Sequence, residues 1–145
     1  PPTGAVIPEP PAAWHSIVTD HDRERLREWR STFVGALEAA GAAGHADDIA
    51  REGALLEPDA AIAGGDIPNG TYCCRVIKLG AQSEGLLDYV AYPYFRCRVS
   101  QQGEVQQFAK LTGSQRHVGV IFPHDGLRQV FLGTLVLGDE TQAVQ

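Results

Sequence analysis

Residues Gly70–Gly80 read GTYCCRVIKLG, and eight residues later Tyr89–Val99 read YVAYPYFRCRV. These two runs decide the fold. They hold all three cysteines of the chain and its densest grouping of β-branched and aromatic residues, which favour a pleated, half-buried surface. Side chains alternate across a strand, so Cys74 shares a face with Tyr72 and Val76, whereas Cys73 shares the other with Arg75 and Ile77. On the second run Cys97 lies with Phe95 and Val99, opposite Arg96 and Arg98. Cys74 and Cys97 therefore fall on aromatic, inward-looking faces, and parity predicts the disulfide Cys74–Cys97 with Cys73 left as a free thiol. The competing reading is three reduced, packed thiols in a cytosolic protein.

Outward from this pair the chain after Tyr72 reads as all-β. Strands are expected at 72–79, 89–100, 104–111, 117–122 and 127–137, joined by short Gly-, Pro- or Asp-bearing links. Gln102-Gly103 and Pro123-His124-Asp125-Gly126 have the composition of hairpin turns, and Pro93 inside its strand points to an edge or a bulge. Short links make consecutive strands antiparallel. Asn69-Gly70-Thr71 matches a glycosylation acceptor, but Asn-Gly leading straight into a strand reads as a tight turn.

Before the strands the chain is helical. Thr19 or Asp20 caps a helix with acidic residues in its first turn, and Leu26, Trp29, Phe33 and Leu37 recur at helical spacing down to about Ala40. The charged side of this helix reads as a solvated face with exposed ion pairs. Gly41 to Gly44 breaks the pattern, and a shorter helix follows from His45 to Arg51. Leu55 and Leu56 are core candidates, and 57–70 is loop. Residues 1–13 carry five of the nine prolines without periodicity and read as a proline-rich leader, closed by Trp14 as an anchor. The domain expectation is one α+β domain over 14–145, with two N-terminal helices followed by a curved antiparallel β-meander, a partial barrel of lipocalin or protease-inhibitor character.

At 145 residues the chain is long enough for one real core. A net charge of −6 argues against a grip on nucleic acid or anionic lipid, and there is no run long and apolar enough for a membrane span. The sequence lacks methionine, so Pro1 reads as the start of a processed or trimmed chain. A removed signal peptide and a disulfide place it in the periplasm or outside the cell.

One segment resembles a site. Lys110, Thr112, Ser114, Gln115, Arg116 and His117 surround Gly113 between two apolar strands, a grouping able to bind a carboxylate or phosphate with Arg116 as the bidentate donor. The plainer reading is a polar turn bonded to its own backbone. Ser114 with His117 as base lacks the strand–turn–helix elbow of a nucleophile, so an enzyme, most plausibly a small hydrolase, ranks last. The histidines have no metal-ligand spacing, and no cofactor motif occurs. Asp139 and Glu140 read as a solvated strand end.

Taken together, the blocks DxxRLxxWxxxF (22–33), EGALLEPDAA, GTYxCRVIKLG, YVAYPYFRCRV, FAKLTGSQR and VFLGTLVLGDE resemble the proteobacterial domain of unknown function family 4893, in order from about Trp14 to Glu140. The resemblance implies an exported single-domain protein with no assigned activity. It also puts Cys74 and Cys97, and not Cys73, at the family's cysteine positions. Members continue past the LGDE block with further strand-like segments, whereas this sequence stops at Gln145, so it reads as C-terminally shortened and barrel closure is left open. The functional expectation is a non-catalytic module binding a small anionic ligand or a protein partner. The alternative is a structural or partner-interaction protein using exposed strand edges.

Overall fold

A computed structural model of the protein describes residues 14–137. The proline-rich leader and Asp139 and Glu140 lie outside the described residues. In chain order the helices are α1 (Trp14–Ile17), α2 (Asp20–Arg27), α3 (Trp29–Ala40) and α4 (Ala46–Arg51), with a π-helical turn at Gly41–His45 and a 3₁₀ turn at Gly53–Leu56. The strands are β1 (Gly70–Cys74), β2 (Ile77–Leu79), β3 (Tyr89–Ala91), β4 (Phe95–Gln102), β5 (Val105–Lys110), β6 (Gln115–Pro123) and β7 (Gln129–Leu137). The class is α+β, and every strand pairing is antiparallel. The elements gather into two compact units.

One unit comprises Thr19–Ile62 and Arg75–Tyr94. Thr19 caps α2 as its sequence position predicts, its hydroxyl accepting from the Asp22 amide at 3.1 Å. The single amphipathic helix expected over 20–40 is broken at Glu28 (φ −97°, ψ 12°), so Trp29 opens a new helix and remains 38% exposed. Leu26, Phe33 and Leu37 are half-buried and Ala40 is buried. The turn that follows departs from helical geometry at Gly44, at φ 100°, a left-handed conformation that a side chain disfavours. α3 packs on β2, closely enough that a Cβ on Gly80 would lie 3.1 Å from that of Ala36. Leu56 is buried as expected, but its neighbour Leu55 is 64% exposed, because the 3₁₀ turn sends the two side chains in different directions. The exposed helix face carries the ion pairs Arg23–Asp20 and Arg25–Asp22, and Arg30 grips Asp59 with two hydrogen bonds of 2.9 and 2.5 Å. Arg75 pairs with Glu52, and His45 stacks on Tyr89 at 5.1 Å while bonding Asp48.

The other unit comprises the described residues up to Val18, Ala63–Cys74 and the chain from Phe95 onward. Its five-stranded sheet runs β1-β4-β5-β6-β7, a meander from β4 with β1 added outside it. Among the described residues β1 and β7 each have a single neighbour, so the sheet does not close as a barrel. Trp14 is buried, stacked on His15 and meeting His124 edge-on at 5.6 Å, which anchors α1 at the β6–β7 hairpin. That hairpin is built on Asp125, whose carboxylate accepts from the amides of Leu127 (2.7 Å) and Arg128 (2.8 Å).

The expected long strands over 72–79 and 89–100 are not continuous. Each is interrupted, and the pieces form two ribbons: β1 with β4 in the large sheet, and β2 with β3 as a separate two-stranded sheet. Pro93 has no amide hydrogen to give a ladder, so the break falls at Tyr92-Pro93-Tyr94 rather than at a bulge within one strand. Asn69-Gly70 is not a tight turn either. Gly70 opens β1 without positive φ, and the Asn69 side-chain oxygen accepts from the Gln101 amide at 2.7 Å, prolonging the β1–β4 ladder.

Candidate functional site

The register of the large sheet places its residues in rows across one face. The first row sets Tyr72 beside Cys97 and Cys97 beside Lys110. The next runs Gly70, Val99, Phe108, Gly119 and Gly133. A third sets Gln101, Gln106, Ile121 and Phe131 in line. The middle row decides the shape, because its last two members have no side chains. A Cβ on Gly133 would come within 2.5 Å of the Val118 carbonyl oxygen and of Phe131 Cζ, and one on Gly119 would run into the Leu132 carbonyl. The β6 and β7 backbones thus approach too closely for any other residue. Phe131 lies over the glycine pair and meets Phe108 edge-on at 5.6 Å, an aromatic covering what the glycines leave bare.

Cys74 and Cys97 are joined by a disulfide, as parity predicts. Cys74 faces Phe95 in register and Cys97 faces Tyr72, so the bond crosses the ribbon diagonally, with Cα atoms 6.1 Å apart. Cys97 is 1% exposed, and Cys73, on the opposite face, is a free, exposed thiol.

A strap formed by Ile67, Pro68 and Asn69 lies along this face. Gln106, 1% exposed, accepts from the Ile67 amide at 3.1 Å and donates to the Ile67 carbonyl at 2.5 Å. Such a buried carboxamide is stable because both of its ends are satisfied. The Tyr72 hydroxyl donates to the Pro68 carbonyl, and Asn69 is held by Gln101. Between strap and sheet lies an open-sided groove of about 420 Å³, lined by Ile67, Tyr72, the Cys74–Cys97 bridge, Val99, Phe108, Ile121 and Phe131. Its volume is in the range of roughly 300–1,000 Å³ usual for small-molecule pockets.

The six residues expected to form a site do not all share one face. Lys110 ends β5 on the groove face, its ammonium 4.3 Å above the Phe95 ring and against Gly113. Gln115 and His117 share that face by alternation on β6, while Arg116 points to the other. The Thr112 hydroxyl accepts from the Arg96 amide at 3.1 Å, and Ser114 is exposed in the turn. Part of this segment therefore bonds to backbone as a polar turn does. Lining residues Phe108, Ile121 and Phe131 were readable as one alternating face, and Gly119 and Gly133 as isolated glycines that signal close backbone approach. Ile67 had no local signal, because Gln106 reaches it from 39 residues away. Among the described residues no cluster of His, Cys, Asp or Glu is arranged for a metal, and no helix is long and apolar enough to cross a membrane.

Fold and groove define an α+β protein with an open antiparallel sheet that carries an apolar, strap-bounded recess on one face. The chain belongs to the family described as a domain of unknown function, DUF4893, whose model matches residues 14–145. No curated protein and no solved structure matches it significantly.

Proposed function

We propose that the protein is a non-catalytic binding module, exported to the periplasm or the cell exterior, whose groove takes a small apolar molecule. One observation carries this reading: a recess of about 420 Å³ whose lining is apolar apart from the Tyr72 hydroxyl, already bonded to Pro68. Such a surface gains by exchanging water for hydrocarbon and offers no group positioned for chemistry. The disulfide favours an oxidising compartment. The test is titration with the neutral probe N-phenyl-1-naphthylamine. Saturable fluorescence enhancement is expected, and Phe131→Trp, at a position 39% exposed, should fill the recess and abolish it while circular dichroism stays native. Absence of saturable binding to the wild-type protein overturns the reading.

A second reading, a partner-interaction protein working through strand edges, is favoured by β7. This strand has β6 as its single neighbour among the described residues and bears no charged side chain, and Phe131, Leu135 and Leu137 on it are exposed. Natural edge strands are usually blunted by charge, proline or a bulge. Light scattering across a concentration series, for wild type and Leu135→Lys, tests it. A wild-type monomer at all concentrations, with no partner captured by the edge, removes it.

A further inference from the structure

We infer that the groove's occupant is a single-chain amphiphile with a monoanionic head, its tail along the Val99–Phe108 row and its head on the Lys110 ammonium; this rests on the binding reading above. The lining is apolar apart from the Tyr72 hydroxyl, whose proton is already given to Pro68, so a molecule polar along its whole length would lose most of its hydration without return. Lys110 supplies what the lining lacks at one end. It stands beside the lining as the register partner of Cys97, and its ammonium sits over the Phe95 ring. Among the described residues no carboxylate lies within ion-pair distance of it. At the other end the Gln106 carboxamide is consumed by Ile67, so nothing there invites a head group. The neighbouring arginines are not competitors: Arg96 and Arg98 alternate with Cys97 and face away, and so does Arg116. One end of an apolar recess thus carries a half-buried cation with no carboxylate partner among the described residues and the other does not, a polarity that matches an anionic head and a hydrocarbon tail.

The test compares four probes of one chain length, used below their micellar concentrations: decanoate, decyl sulfate, decanol and decyltrimethylammonium. Each displaces N-phenyl-1-naphthylamine. Both anions should bind roughly tenfold more tightly than decanol, the cation more weakly than decanol. Lys110→Met keeps an unbranched side chain without the charge and should reduce the anions to the affinity of decanol, while Lys110→Arg restores the preference. Affinity of both variants for the neutral probe should stay within about twofold of wild type, as for substitutions that leave the core intact. If the neutral probe binds but the anions gain nothing over decanol, or Lys110→Met keeps their advantage, this inference falls and the binding reading stands. If only one anion is preferred, the head is narrowed to carboxylate or sulfate. If neither the neutral probe nor decanol binds, both readings fall together.

Discussion

Gln106 on β5 holds the backbone of Ile67 at both its amide and its carbonyl, 39 residues away in sequence, and so stands in for a missing strand along the groove. A side-chain amide carries a donor and an acceptor side by side, so it can hold both groups of one residue at once. The strap, and with it one wall of the recess, depends on it.

Replacing Gln106 by Leu should therefore cost about 2–4 kcal/mol, since the Ile67 amide and carbonyl lose their partners without gaining water in full. Urea unfolding measures the loss. Hydrogen exchange at Ile67 should rise far more than exchange in β5, which separates release of the strap from general destabilisation.

The diagonal Cys74–Cys97 bond closes a sequence separation of 23 residues, for which a stabilisation of roughly 3 kcal/mol is expected. The double variant Cys74→Ser/Cys97→Ser should lose that amount, and Cys73→Ser should be neutral because its thiol is exposed. Thiol titration of the native protein should count one reactive group, none after Cys73→Ser. A count of three in wild type would contradict the bond.

Gly119 and Gly133 face each other in register where β6 and β7 crowd together. Alanine at either position should destabilise by about 1–3 kcal/mol through overpacking against the opposite backbone. Gly126, with open space around its Cβ position, is the control and should tolerate alanine with little change in melting temperature.

In the β6–β7 hairpin the Leu127 amide, aided by that of Arg128, holds the Asp125 carboxyl below the ordinary aspartate range, partly offset by desolvation. A depressed folded-state value means that the carboxylate stabilises the fold at pH values above the ordinary aspartate range. That contribution is lost as the pH falls through the folded-state value. Thermal unfolding of wild type against Asp125→Asn should show a gap at neutral pH that closes in acid. A gap independent of pH would show that the ionised form adds nothing.

Several of these features were legible in advance and others were not. Alternation placed Cys74 and Cys97 on one face and Cys73 on the other, because a two-residue period is a property of the extended chain and needs no neighbour. Thr19 and the Asp125 turn were readable for the same reason, since a cap or an Asx turn is closed within three residues. The rupture of both cysteine-bearing strands was only half announced, by Pro93. Nothing near Arg75 declared that its strand would stop there, and Glu52, which pairs with it, lies 23 residues back. The polar cluster at 110–117 drew attention by composition, yet strand parity sends Arg116 away from Lys110, and Thr112 is consumed by the Arg96 amide.

Local rules of sequence thus determined the α+β class, the antiparallel meander, the capping of α2 and which two cysteines could meet, since each follows from contacts a few residues apart or from side-chain parity. Tertiary structure alone decided the strap on Gln106, the pairing of Gly119 with Gly133 in register and the recess they bound. Those depend on register between strands and on partners dozens of residues apart, and a linear pattern carries no record of which distant backbone a buried carboxamide will find.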